Sequence, residues 1–204
     1  MDNKLKLLSV CLFVFLSFNV NAYDVRIEGQ AGGAQGDVES NFAGLSFDES
    51  SETGISVGGA AWLDGWLMPV FSVGVQYNRI MGNDLEDDSV SAAINFDTDL
   101  VMVNAVFRDN VGGFGGKFHP YAGGGIGFAR VDTEVDILGI TVDEGDDIGF
   151  AGQFMAGFDY DILEHIYFGV NVAYLFNDAE PDTTVPLDVD FETWRFMAVL
   201  GMKF

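Results

Sequence analysis

The carboxy-terminal stretch Phe191–Phe204 alternates apolar with polar or small residues. One residue set is Trp194, Phe196, Ala198, Leu200, Met202, Phe204, and the interleaved set is Thr193, Arg195, Met197, Val199, Gly201, Lys203. A period of two belongs to a pleated strand with one apolar and one mixed face; a helix repeats at 3.6. A strand of this kind must put its apolar face against either a core or lipid.

Seven earlier segments carry the same pattern, giving eight in all. The first sets Tyr23, Val25, Ile27, Gly29 and Ala31 against Asp24, Arg26, Glu28 and Gln30. The second, near Gly54–Asp64, lines up Ile55, Val57, Gly59, Ala61 and Leu63. The third sets Phe71, Val73, Val75 and Tyr77 against Ser72, Gly74, Gln76 and Asn78, and the fourth sets Val101, Val103, Ala105 and Phe107 against Asn104. The fifth, Pro120–Asp132, is blurred by its glycines, and Arg130 shares the parity of Ile126 and Phe128, so its faces stay open. The sixth places Phe150, Phe154, Ala156, Phe158 and Tyr160 opposite Gln153 and Asp159; the seventh places Phe168, Val170, Val172, Tyr174 and Phe176 opposite Asn171.

The connections alternate in length. Ala34–Thr53, Gly82–Asp97, Thr133–Asp147 and Asn177–Asp190 are long and acidic; Gly65–Pro69 and Asp161–His165 are short, and Asp109–His119 is intermediate and Gly-rich. An even number of strands of roughly 9 to 11 residues, with long loops at one end and short turns at the other, is the pattern of a transmembrane barrel. Aromatics near strand ends, Tyr23, Trp66, Tyr121, Tyr160, Tyr167, Tyr174, Phe176 and Trp194, suit interfacial girdles or packing at strand ends.

The amino-terminus reads as a signal peptide over residues 1–22. Lys4 and Lys6 form a basic region, Leu7–Phe18 an apolar one too short to span as a helix, and Val20-Asn21-Ala22 a cleavage site, so the expected mature domain is 23–204. Cys11, the only cysteine, leaves with it, and Val10 before it does not fit a lipoprotein site. Of 9 basic and 32 acidic residues, removal of Lys4, Lys6 and Asp2 leaves 7 and 31, a net of −24, which argues against nucleic acid as a partner. Lys117 and Lys203 are then the only lysines, a scarcity that suits a wall facing lipid better than one wetted all round.

Alternation alone also permits a soluble lipocalin-like carrier with its apolar face inside. Both charge signs on the mixed face, too much Phe, Val and Leu for so narrow an interior, and the scarcity of lysine favour the membrane barrel. Asp24, Arg26, Glu28, Gln76, Gln153, Asp159 and Arg195 are the candidate lumen and ion-pair residues, with Arg26 and Arg195 expected to pair with Asp24 and Glu28 across the closing strands. Gln30, Ser72, Asn78, Asn104 and Asn171 complete the expected polar lumen.

No motif marks a catalytic or cofactor site. Gly112-Gly-Phe-Gly-Gly-Lys117 lacks the first glycine and the Ser or Thr of a phosphate loop, and Gly123–Gly127 lacks dinucleotide spacing. His119 and His165 fall at expected periplasmic ends, away from where a lipid-modifying enzyme of the outer leaflet needs a base. Asp84, Glu86, Asp87 and Asp88, with Asp143, Glu144, Asp146 and Asp147, form acidic loop runs without a calcium-loop pattern; they read as a solvated surface, with weak divalent-cation binding the sharper alternative. Phe42, Leu45, Phe47, Ile137, Leu138 and Ile140 are apolar loop residues that suit partner contacts, barrel capping or strand extension.

The stretch Pro120-Tyr-Ala-Gly-Gly-Gly-Ile-Gly127 and the closing Trp194–Phe204 resemble the small eight-stranded outer-membrane β-barrels of the OmpA and opacity types. The resemblance implies an all-β, eight-stranded antiparallel up-and-down barrel in the outer membrane of a Gram-negative-type bacterium, with Phe204 as the signal read by the barrel assembly machinery. It implies a monomer in contact with lipid and lipopolysaccharide, without a cofactor, and a non-enzymatic structural or adhesin-like role toward a host or cell-surface ligand. The alternatives are a narrow ion-conducting pore, an outer-membrane lipid-modifying enzyme and a soluble lipocalin-like carrier.

Overall fold

A computed structural model describes residues 24–42, 45–50, 54–65, 67–87, 92–109, 116–137, 140–178 and 188–204. The elements are β1 (Asp24–Phe42), β2 (Leu45–Ser50), β3 (Gly54–Asp64), β4 (Phe71–Asp87), β5 (Ala92–Arg108), β6 (Phe118–Ile137), β7 (Ile140–Asp161), β8 (Ile166–Asn177) and β9 (Asp188–Lys203). Each strand from β3 onward pairs antiparallel with the next, and β9 closes on β1, whose lower half also pairs with β3. Eight strands thus make a closed antiparallel barrel without an edge, while β2 stands outside the ring as a short hairpin partner to the outer end of β1.

Side-chain burial gives the polarity of the wall. Gln153 is 1 % exposed and its neighbour Phe154 is 66 % exposed. Ile27, Val103, Phe107, Phe196 and Leu200 likewise lie outside, while Arg26, Gln76, Asn104 and Arg195 lie inside. Such a wall, apolar outward and polar inward, suits hydrocarbon and would be costly in water. Inward side chains of different strands meet across the lumen, as expected of eight strands. The glycine-rich β6 is also settled: Ile126 and Phe128 point outward, whereas Gly123, Gly125 and Gly127 line the lumen beside inward side chains of β5. A Cβ on Gly125 would collide with the Asn104 carboxamide oxygen, so the glycine makes room for that side chain.

The expected long loops are corrected. β1, β4, β5, β6 and β7 continue as paired strands well into them, with Glu86 opposite Ala93 and Glu144 opposite Glu134. Phe42 pairs with Leu45, Phe47 with Ser40, and Ile137 with Ile140, so these positions extend the ladders; Leu138 lies outside the described residues. The reason is that adjacent backbones leaving the membrane still satisfy their polar groups best across the hairpin, whatever the side chains. β7 spans 22 residues, about twice the 9 to 11 that a tilted strand needs to cross a bilayer. A bulge between Ile80 and Asn83 carries Gly82 at φ +74°, a left-handed conformation open to glycine, where the outer part of β4 begins. At the opposite end the turn after β3 is tight, with Gly65 at φ +75° donating its backbone N–H to Phe71.

Candidate functional site

The chemistry-bearing residues gather inside the barrel. Toward the periplasmic end, Arg26 of β1 contacts Asp64 of β3 at 2.8 Å and Asp159 of β7 at 3.0 Å. Arg108 of β5 reaches the same two carboxylates at 3.4 Å each. Aromatic faces close the cluster: Arg26 lies over the Tyr167 ring at 4.7 Å, and Arg108 over Tyr121 at 4.8 Å and Trp62 at 5.5 Å. Two guanidiniums between two carboxylates and three rings share out the cost of removing four charges from water, since each ion meets an opposite charge.

Above this cluster a chain of side-chain amides crosses the lumen. Gln30 Nε2 donates to Glu28 at 2.6 Å, Gln76 Nε2 to Gln30 at 2.8 Å, Gln153 Nε2 to Gln76 at 2.9 Å, and the Arg195 guanidinium to Gln153 Oε1. Asn104 joins sideways, donating to Gln76 at 2.8 Å and accepting from Gln153 at 2.6 Å. Tyr167 donates to the second oxygen of Glu28 at 2.8 Å. The direction of the chain is forced, because a guanidinium only donates and a carboxylate only accepts. Every amide dipole therefore aligns from Arg195 toward Glu28. A buried apolar cluster of Ala34, Ile80, Leu100, Met102, Ala129, Ala151 and Leu175 lies in the same lumen.

Of the expected lumen residues, Arg26, Glu28, Gln30, Ser72, Gln76, Asn78, Asn104, Gln153, Asp159, Asn171 and Arg195 are all buried. The expected pairs are corrected. Asp24 is exposed at the start of β1, Arg26 takes Asp64 and Asp159, and Arg195 reaches an amide. Register is the cause: Arg195 stands opposite Ala34, eight residues along β1 from Arg26, or about 26 Å at the strand rise. Asp64, Arg108 and Trp62 were not singled out from the sequence. Their inward parity was readable there, but their partners lie on distant strands.

Two girdle assignments are corrected as well. Tyr121 and Tyr167 face inward, held against Arg108 and Arg26; Tyr167 shares the parity of Asn171, and Tyr121 that of the lumen-lining glycines of β6. Tyr160, Tyr174, Phe176 and Trp194 sit on the outer wall, where Tyr174 meets Trp194 at 5.0 Å between centroids and Tyr160 meets Phe168 at 5.7 Å. Tyr23 and Trp66 lie outside the described residues.

At the periplasmic rim Asp161, the last residue of β7, binds His119 Nε2 at 3.0 Å and the Lys203 ammonium of β9. Partial burial raises its carboxyl pKa, but the hydrogen bonds from Lys203 and His119 outweigh that and hold it below the usual carboxylate range. His165 is exposed in the turn before β8. At the other end, on the outer wall, Arg79 binds Asp97 at 2.7 Å, and Arg130 binds Asp132 at 2.9 Å and Asp146 at 3.3 Å.

Of the acidic runs, Asp84, Glu86 and Asp87 lie on β4, and Asp143, Glu144, Asp146 and Asp147 on β7; Asp88 lies outside the described residues. Among the described residues no group of three or more His, Cys, Asp or Glu could hold a metal ion.

The fold has known counterparts. Neisserial surface protein A shares 15 % identity with a TM-score of 0.56, over 88 % of this chain and 97 % of that one. OprG from Pseudomonas aeruginosa shares 20 % with a TM-score of 0.51, over 90 % and 96 %. Ail, the attachment invasion locus protein of Yersinia pestis, shares 17 % with a TM-score of 0.51, over 89 % and 99 %, in a complex with the heparin analogue sucrose octasulfate. No curated protein matches the sequence. Residues 9–201 match the outer membrane protein beta-barrel domain, and with the lipid-facing wall and closed ring described above, the chain belongs to that family of outer-membrane β-barrels.

Proposed function

We propose that this protein is a non-conducting, non-enzymatic barrel that presents acidic strand extensions at the cell surface to a positively charged partner. The observation that carries the reading is the filled lumen. The Arg26–Asp159 cluster and the Arg195-to-Glu28 amide chain occupy successive levels of an interior that eight strands already make narrow. With the inside given over to packing, specific contacts fall to the parts beyond the membrane. Those parts are the outer ends of β4 and β7, which carry Asp84, Glu86, Asp87, Asp143, Glu144, Asp146 and Asp147 on paired backbone.

Ail binds a polysulfated heparin analogue in its crystal. This chain, at a formal net charge of −23, would repel a polysulfate, so a basic protein surface on a host or neighbouring cell fits better. Residues 1–22 serve as the export signal in this reading, and Phe204, exposed beyond β9 and paired through its backbone N–H to Val25 at 2.9 Å, serves as the assembly signal.

The test is adhesion of whole cells to polylysine-coated and heparin-coated surfaces, with the seven acidic residues replaced by their amides. Binding to polylysine that falls on neutralisation, with no single-channel current from the purified barrel in a planar bilayer, is the expected result. Unchanged adhesion would reject the acidic surface, and steady unitary current would favour the narrow pore.

A further inference from the structure

Among the described residues, Arg195 is the lumen arginine without a carboxylate partner. It is 1 % exposed, and among the described residues no carboxylate comes within ion-pair distance. One Nη donates to Gln153, while Nε and Nη1 have no acceptor. The lumen's other arginines, Arg26 and Arg108, each hold two carboxylates. Its formal counter-charge, Glu28, stands three glutamines away and is occupied by Gln30 and Tyr167. A buried guanidinium that leaves N–H groups unmade and its charge uncompensated is strongly unfavourable. Further donors lie unpaired and buried in the lumen, the Ser56 hydroxyl and the Asn78 amide, the latter also leaving its carbonyl oxygen unpaired.

We infer that Arg195 holds a small monovalent anion of chloride size inside the lumen. Charge sets the class, since the free groups of Arg195 can only donate. Space sets the size: Arg195 stands opposite Ala34 on β1 and Ala173 on β8, both members of buried apolar clusters, and the interior of eight strands is nearly filled by side chains. A dianion such as sulfate would bring a second charge into that surface with nothing to meet it.

Bromide is the probe. Crystals grown in sodium bromide are expected to show an anomalous peak within hydrogen-bond reach of Arg195 Nε or Nη1. The unfolding midpoint, read by loss of the heat-modifiable band, is expected to be a few degrees higher in chloride than in gluconate at equal ionic strength, and to saturate with chloride. Arg195→Met should remove the difference between the two salts. An anomalous map without bromide at Arg195 overturns the inference, and so does a wild-type midpoint equal in the two salts. If Arg195→Met does not fold, the bromide map on the unaltered protein decides alone.

Discussion

Arg195 and Glu28 do not touch, yet they are the two ends of one hydrogen-bonded line through Gln153, Gln76 and Gln30. Each glutamine accepts on the Arg195 side and donates on the Glu28 side, so the three amide dipoles align in one direction across the lumen. The arrangement spans β9, β7, β4 and β1, and it cross-braces a barrel whose backbone hydrogen bonds run only between neighbouring strands.

Breaking the middle of that line should cost stability. In Gln76→Leu, Gln153 and Asn104 lose their shared acceptor and Gln30 loses its donor, and each buried group left unmade costs about 1–3 kcal/mol. Reversible urea unfolding in lipid vesicles, followed by tryptophan fluorescence, should show a loss of at least about 1 kcal/mol. A Gln76→Leu, Gln153→Leu cycle should be strongly non-additive, because the two share one bond.

Buried and exposed ion pairs should differ sharply. Asp159→Ala removes one of the two carboxylates that Arg26 and Arg108 share and leaves Asp64 alone against two buried guanidiniums, a loss of about 3–5 kcal/mol. Arg79→Ala breaks a half-exposed pair with Asp97 and should cost about 0–1 kcal/mol. Equal effects in the same unfolding assay would contradict the burial described here.

The outer wall makes its own prediction. Val103 points outward midway along β5, and Val103→Arg should destabilise the barrel in vesicles by about 2–4 kcal/mol, whereas Glu192→Arg near the outer end of β9 should cost about 0–1. A tolerated arginine at Val103 would mean that this face meets water.

Acid should loosen the periplasmic rim. The Asp161 carboxyl is held below its ordinary value in the folded protein, so its contribution is complete above the unfolded carboxylate pKa and lost as the pH falls through the lower folded one. Between neutral pH and about pH 3, wild type should lose more stability than Asp161→Asn, whose side chain does not titrate. Parallel curves for the two proteins would show that Asp161 contributes nothing to acid sensitivity.

Much of the barrel was legible from single residues. The alternation that puts Phe154 outside and Gln153 inside depends only on the pleat, and Arg26, Gln76, Asn171 and Arg195, on the polar set, are buried. The same rule should have turned Tyr167 inward beside Asn171, but its closeness to a strand end favoured an interfacial reading, and Tyr121 sits in the strand whose faces the glycines blur. Around Gly123–Gly127 the pattern was silent, because glycines have no side chain to show a face; the packing of Asn104 against Gly125 resolves it. The outer hairpins were read as loops because their acids look like solvated turns, although paired backbone accepts almost any side chain that water can reach.

The number of staves, the sign of the wall and the faces of the strands rich in side chains were local matters, because a period of two is a property of neighbouring residues. Which inward residues meet was decided only by the tertiary structure. Arg26 finds Asp64 and Asp159, and Arg195 finds Gln153, because register, tilt and closure set the level of each side chain in the lumen. Those are relations among strands up to 133 residues apart, and no local pattern encodes them.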